Sequence, residues 1–273
     1  MANSKHIKQL KQGTDVWNQW RQKHSIAMPD FNSGYCRSYQ LAGAYLANSD
    51  FHGNDLLTAN LSRAHLEQAD LSNASLRKAD VSGAYLQQAN LLQTDAQEAN
   101  LNRADLTHAS LIEANLTKAH FIETNLSHAI LIKTTLTRAS LIRAKLYETD
   151  CTGASLQGAD LSGADLRGTN FSGADLRDAR FTGASLDQVI FDNANLQGAD
   201  FSGASFGDEC PKPYLVDINN QYSIPRHRLP ESRKPVANHR HTATHTNLRL
   251  LSPEGMDHHP NTVLVEGFNV SQG

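Results

Sequence analysis

A five-residue period runs from Phe31 to Phe206 without a change of register and constrains this chain more than any other feature. Almost every fifth residue is large and apolar, as at Leu41, Leu46 and Phe51, and a small residue, most often Ala, stands two positions before it. An α-helix turns by about 100° per residue, so side chains five apart would never line one face. The period therefore excludes a helix for this segment.

The spacing within each repeat predicts short strands joined by corners. Ala and Leu two positions apart lie on the same side of an extended chain, and the residue between them, commonly Asp, Asn or Ser, points outward. The other two residues turn the chain. Gly at the second of them, as at Gly153, Gly158 and Gly163, suits a type II turn with positive φ there. Strands and corners in this alternation are typical of a solenoid with stacked coils.

The run ASLQGADLSGADLRGTNFSGADL, residues 154–176, resembles the pentapeptide-repeat family, whose motif is A(D/N)LXX. The resemblance covers about two thirds of the chain. It implies an all-β fold, a right-handed quadrilateral parallel β-helix with four repeats in each coil. Residues 31–206 would then form roughly nine coils, and at ~4.8 Å per coil the rod would be about 40 Å long.

The sequence outside the repeats predicts two flanking segments. Segment 1–30 is expected to be a helical cap on segment 31–206, because Ile7, Leu10, Trp17 and Trp20 recur at helical spacing and an open solenoid end needs a cover. Docking of this helix to a partner is the alternative. Segment 207–273 contains seven of the eight prolines and is expected to be a disordered, Pro/His-rich basic tail.

Residue patterns for catalysis or cofactor binding are missing from the sequence. It has no phosphate-binding glycine loop, no HExxH motif and no paired-cysteine zinc spacing, and the repeat predicts rows of solvated carboxylates instead of a secluded acid–base pair. We therefore expect no enzyme activity and no cofactor. The tail cluster His239, His241 and His245 could bind a divalent metal, but nothing implies a preformed geometry, so no metal site is predicted. Cys36 and Cys151 occupy Leu positions and are expected in the core.

Residues twenty apart should stack in columns, and some columns carry aliphatic residues where polar ones are usual. Such residues mark a contact surface or stiffen the rod by ladder packing, and the sequence leaves both readings open. The aromatic column of Tyr45, His65 and Tyr85 favours ladder packing. The candidate partner surface comprises one column of Leu92, Ile112 and Ile132, with Ile130 beside it, and Ile122 and Ile142 on the opposite face.

These observations predict a non-enzymatic protein-interaction scaffold that presents the faces of a rigid solenoid to a protein partner. The net charge of −3 argues against direct nucleic-acid binding. No apolar run is long enough for a membrane span, and the three cysteines form no CxxC pair, so a cytoplasmic location is expected. Homodimerisation through a face or an end is left open.

The family resemblance suggests an alternative, a DNA-mimic protein that binds a type II topoisomerase. Such a mimic needs dense negative charge along its length. Only residues 146–206, with nine acids against three arginines, have such an excess.

One position breaks the Leu pattern and provides a test of the register. Ala96 stands between Leu76 and Leu116 in one column, which predicts a local void. We expect Ala96→Leu to raise the free energy of unfolding by up to about 2 to 5 kcal/mol, less any strain, the reverse of a core truncation. Thermal denaturation measures it, and an unchanged melting temperature would argue against this register.

Overall fold

Residues 3–24, 28–207 and 247–248 are described by the structure, a computed structural model. From Asp30 to Ser205 the backbone pairs in parallel with the residue twenty positions along, beginning with Asp30 and Asp50 and ending with Ser185 and Ser205. These pairings follow one another every five residues, so each coil has four sides. The predicted right-handed quadrilateral β-helix is confirmed.

A single repeat shows how the sequence satisfies its backbone. In residues 71–75, the N–H groups of the first, third and fifth residues donate to neighbouring coils at 2.7 to 2.9 Å, and Ala74 N donates to Leu71 O across the corner at 3.0 Å. The remaining donor, Ser72 N, binds Asp70 Oδ1 at 2.9 Å. An Asp or Asn before the Leu is thus a corner cap, since a buried or half-buried N–H needs an acceptor.

The second residue of each corner has positive φ whether or not it is glycine. Lys78, Glu98 and Arg103 have φ of 55°, 57° and 60°. This conformation costs a side-chain-bearing residue on the order of 1 kcal/mol. It is held because the N–H of the same residue donates to the next coil, as Lys78 N does to Gln97 O at 2.9 Å. The side chains at this second corner position therefore vary in type, and most of them are exposed to solvent.

The core consists of the stacked Leu and Ala columns, with polar exceptions of which the threonines find partners, whereas the buried Ser49 Oγ has none within the described residues. Thr94, for example, replaces Ala and its hydroxyl donates to Leu71 O at 2.7 Å. Cys36 and Cys151 are fully buried, as expected, and burial raises the pKa of the Cys36 thiol to about 11. The residues that follow this Thr arrangement, each bonded to the carbonyl 23 positions before it, are Thr94, Thr124, Thr134, Thr149 and Thr169.

Phenylalanines fill the last coils. Phe171 stacks on Phe191 with ring centroids 5.7 Å apart, and Phe181 stacks on Phe201 at 4.7 Å. The two stacks meet edge to face, with Phe181 and Phe191 at 6.1 Å and an interplanar angle of 88°. Both arrangements are favourable for aromatic rings. The larger side chains thus close the core toward its C-terminal end.

An N-terminal helical cap covers the first coil, as predicted, but it has two helices instead of one. Helix α1 is Ser4–Leu10 and helix α2 is Thr14–Lys23. They are separated at Gly13, whose φ of 104° is incompatible with a continuous helix. Leu10 and Trp17 are completely buried against the core. The prediction of a single helix was therefore wrong, because the spacing of hydrophobic residues alone does not reveal the break at Gly13.

Helix α2 also satisfies backbone groups of the first coil. Asn18 Nδ2 donates to Gly43 O at 3.0 Å, and Tyr45 N donates to Asn18 Oδ1 at 2.8 Å. Trp17 Nε1 donates to Tyr45 O at 2.9 Å and Arg21 Nη2 to Ala47 O at 3.1 Å. In inner coils the corresponding groups of Tyr45 and Ala47 pair with the preceding coil. The cap thus replaces a missing coil.

At the other end, strand β1, Ala194–Asn195, pairs antiparallel with strand β2, Asn247–Leu248. Apart from Gly207 and β2, the predicted tail lies outside the described residues, and so does the cluster His239, His241 and His245. The segment boundaries at 30/31 and 206/207 stay predictions. Among the residues described, no helix combines the length and the apolarity needed to cross a membrane.

The bidentate contact of Asn18 predicts a specific loss of stability. Asn18→Leu removes both hydrogen bonds and leaves Tyr45 N and Gly43 O without these partners, so the free energy of unfolding should fall by about 1 to 3 kcal/mol. Chemical denaturation followed by tryptophan fluorescence measures it, since both tryptophans lie in α2. Gln19→Leu, on the exposed side of the same helix, is the control. Equal effects of the two substitutions would contradict the capping role.

Candidate partner surface

The square cross-section gives the rod four faces, which we number by their outward strand residues. Face 1 runs from Asp30 to Ile190 in steps of twenty, and face 3, on the opposite side, from Gln40 to Asp200. Faces 2 and 4 begin at Tyr35 and Tyr45. Corner residues border two faces.

The structure brings the predicted aliphatic residues together in two separate groups. Leu92, Ile112 and Ile132 stack in adjacent coils at the corner between faces 1 and 2. Gln93 N donates to Ile112 O at 2.9 Å and Glu113 N to Ile132 O at 3.0 Å. The three side chains are half-buried, which fits ladder packing, yet each keeps a solvent-facing surface. Whether this column binds a partner stays a prediction.

Ile130 and the second group complete the candidate surface. Ile130 lies on face 1 itself, next to this column, with 39% of its surface exposed. Ile122 and Ile142 stack at the corner between faces 3 and 4, where Glu123 N donates to Ile142 O at 3.0 Å, and both are half-buried. The two groups therefore lie on opposite sides of the rod and cannot form one continuous patch.

A histidine pair borders face 1 on its other edge, and the sequence analysis missed it. The rings of His108 and His128 stack with centroids 4.8 Å apart and an interplanar angle of 10°. His128 Nδ1 lies 3.4 Å from Glu148 Oε2. The aliphatic column and the histidine pair thus lie along the two edges of face 1, and Ile130 lies between them. The spacing of twenty between the two histidines was the available signal.

The aromatic column on face 4 forms a continuous stack. Tyr45 and His65 have ring centroids 5.1 Å apart, edge to face, and His65 and Tyr85 are stacked at 4.8 Å. His65 Nδ1 also lies 3.1 Å from Glu67 Oε1. Each ring is therefore held by its neighbours, which supports the ladder-packing interpretation of this column.

The acidic C-terminal coils carry less free negative charge than their composition suggests. Arg167 makes a two-pronged contact with Asp165 at 2.8 and 2.7 Å, and its hydrogen bond lowers the pKa of that carboxyl. Arg177 holds Asp175 in the same way and also lowers its pKa. Arg180 lies 3.8 Å from Asp160. Each arginine of these coils thus neutralises a carboxylate.

Within the described part of the chain, no cluster of three or more His, Cys, Asp or Glu side chains has the arrangement to hold a metal ion. The surface features of the rod are thus aliphatic, aromatic and ionic columns.

The repeats of this chain and their coiled fold are similar to those of known proteins. A family model described as pentapeptide repeats matches in eight copies, over residues 40–73, 55–93, 99–138, 136–173 and 169–208. One similar crystal structure is that of HetL, a pentapeptide repeat protein involved in heterocyst differentiation regulation from the cyanobacterium Nostoc sp. strain PCC 7120. The HetL sequence is 31% identical to this one, and the match covers 68% of this chain and 91% of HetL, with a TM-score of 0.59.

A second solved structure supports the fold alone. Trypsin-treated QnrB1, a plasmid-mediated fluoroquinolone resistance protein, is 23% identical over 65% of this chain and 89% of its own, with a TM-score of 0.55. The comparison with curated proteins gave no match. The family matches span more than half of the sequence and coincide with the square coils, and this chain therefore belongs to the pentapeptide-repeat family.

Proposed function

We propose that this protein is a non-enzymatic interaction scaffold that presents the faces of its rigid solenoid to a protein partner. The observation that carries this proposal is the column of Leu92, Ile112 and Ile132 with Ile130 beside it on face 1. Neighbouring aliphatic side chains with solvent-facing surface are typical of contact sites.

The fold does not require aliphatic residues in this column. Other coils have polar residues at the same position, and these bind the corner cap: Ser72 Oγ donates to Asp70 Oδ1 at 2.6 Å, and Thr152 Oγ1 to Asp150 Oδ1 at 2.6 Å. Leu92 lies two positions after Asn90 and gives up this hydrogen bond, whereas Ile112 and Ile132 lie two positions after Ser110 and Ile130. All three leave apolar surface partly in water, a cost that a role in binding offsets.

The rod also suits recognition because its surface is preorganised. Every coil is fixed by backbone hydrogen bonds to its neighbours, for example Leu111 N to Ile130 O at 2.8 Å and Ile130 N to Ala109 O at 2.9 Å. A partner would therefore order little of this surface on binding, which lowers the entropic cost of association. The 31% identical HetL is described as involved in regulation, a role compatible with binding.

Removal of the aliphatic side chains from the face 1 column should abolish partner binding without unfolding the protein. Leu92→Ser, Ile112→Thr and Ile132→Thr together introduce residue types that the chain itself has in this column at Ser72 and Thr152. We expect the triple variant to keep its circular dichroism spectrum and to lose a protein that the unaltered chain retains from a lysate of its native cells, as identified by mass spectrometry.

The control for this experiment is Ile122→Ser with Ile142→Ser, which removes aliphatic surface from the opposite side of the rod. The control should retain the face 1 partner. If the triple variant captures the same proteins as the unaltered chain, the column has a structural role only, and face 1 is not a binding surface.

The second candidate function, mimicry of DNA toward a type II topoisomerase, is favoured by one observation, the acid excess of residues 146–206. It has less support because arginines neutralise Asp165 and Asp175. At 23% identity, the likeness to QnrB1 supports the fold and adds nothing to this candidate function.

A supercoiling assay with DNA gyrase tests the mimicry directly. If the acidic coils imitate DNA, micromolar protein should inhibit supercoiling, and Arg167→Gln with Arg177→Gln should inhibit more strongly because two carboxylates lose their counter-charges. Arg63→Gln with Lys23→Gln, distant from these coils, also removes two positive charges and controls for net charge. No inhibition by either the unaltered chain or the double variant would dispose of this candidate.

A further inference from the structure

Two bases at corners of the rod each contact an acid that lies one coil later in the same column. Lys78 Nζ lies 3.6 Å from Glu98 Oε2, and Arg103 Nε lies 2.9 Å from Glu123 Oε2. Because the columns bring residues twenty apart side by side, such pairs form along the rod.

At three consecutive corners of one coil, the base is followed one coil later by a glycine instead of an acid. Their bases are Lys133, Arg138 and Arg143, and the residues one coil later are Gly153, Gly158 and Gly163. A Cβ atom at each glycine would lie 3.5 to 3.6 Å from the Cγ atom of the base below, so each aliphatic stem passes beside a glycine. Within the described residues none of the three bases has an ion pair, and neither has Lys118, the residue below Arg138.

Face 3 is bordered by cations and by two isoleucines. Arg138 and Lys118 are at one edge of the face, in adjacent coils joined by Lys118 N to Thr137 O at 3.0 Å. Ile122, Ile142 and Arg143 are at the other edge. The strand between the edges has three residues, or about 10 Å at ~3.3 Å per residue, which matches the ~10 Å diameter of an α-helix.

Neighbouring acids do not cancel this positive charge. Glu123, which lies directly below Arg143 in the same column, is engaged by Arg103 at 2.9 Å. Asp160, the next acid above on face 3, lies 3.8 Å from Arg180. Within the described part of the chain, the middle of face 3 thus combines cations without an ion pair at both edges with two isoleucines along one of them.

We propose that face 3, through Lys118, Arg138, Arg143, Ile122 and Ile142, binds an acidic amphipathic segment of a protein partner. Carboxylates of the segment meet the cations at the two edges, and its apolar side chains cover the isoleucines. This rests on the proposed scaffold role and names the partner chemistry for one face. Nucleic acid fits less well, because three cations give few phosphate contacts and the apolar residues are aliphatic, unsuited to base stacking.

A peptide selection on the full chain tests this assignment. Peptides selected from a random display library should be enriched in Asp and Glu next to Leu, Ile or Phe. For a selected peptide, fluorescence anisotropy should show about tenfold weaker binding to Arg138→Gln with Arg143→Gln. Ile122→Ser with Ile142→Ser should also weaken binding although the charge is unchanged.

Arg63 provides a matched control within the chain. It occupies the same column as Arg143, and its stem also lies beside a glycine, with Gly83 Cβ placed 3.5 Å from Arg63 Cγ. The residue before it is Ser62 instead of an isoleucine. Arg63→Gln should therefore leave binding unchanged. Circular dichroism and the melting temperature verify that each variant is folded.

Three results would overturn the assignment. The first is a selection without acidic peptides, and the second is equal binding to the face 3 variants and to Arg63→Gln. The third is stronger binding of a short DNA duplex or of anionic phosphatidylglycerol vesicles that depends on Arg138 and Arg143 but not on the isoleucines. The face 1 triple variant should bind the selected peptide normally, so failure of this assignment is separable from failure of the face 1 proposal.

Discussion

The hydrogen-bonded stacking of each coil on the residue twenty positions along is the interaction on which the whole structure depends. It takes up most backbone donors of a repeat, as with Leu71 N and Asn90 O at 2.7 Å. A shift by one residue would move every Leu out of the core and every corner cap away from its N–H. The surface columns follow from this register, because it places the side chains of residues twenty apart next to each other in adjacent coils.

The register also separates residues that the fold explains from residues that it does not. Asp70 and Asp150 accept hydrogen bonds from their corners at 2.9 Å, so acids at this position serve the backbone, and their number overstates charge available to a partner. Aliphatic side chains at the corners cannot accept such a bond, and Arg138 and Arg143 form no ion pair among the described residues. Functional inference for this rod therefore rests on departures from the repeat, on faces 1 and 3.

At the two ends of the solenoid no further coil follows, so the backbone hydrogen-bonding groups and the core there need other partners. At the N-terminal end, Asn18 pairs with both a donor and an acceptor of the first coil, as a neighbouring strand would. At the other end, stacked phenylalanines such as Phe181 and Phe201 fill the core, and strand β2 pairs with β1. Both ends reduce the exposed strand edges that would favour association.

The sequence by itself determined the solenoid, its register, the buried columns and the grouping of Leu92, Ile112 and Ile132, because a five-residue period leaves one way to place apolar residues inside. The tertiary structure decided the break between α1 and α2 and the pairing of Asn18 with the first coil. It also decided that Arg138 and Arg143 have no ion pair among the described residues. These depend on the distances between side chains in neighbouring coils and on the conformations they adopt there. A periodic pattern specifies the rows but not the contacts between them.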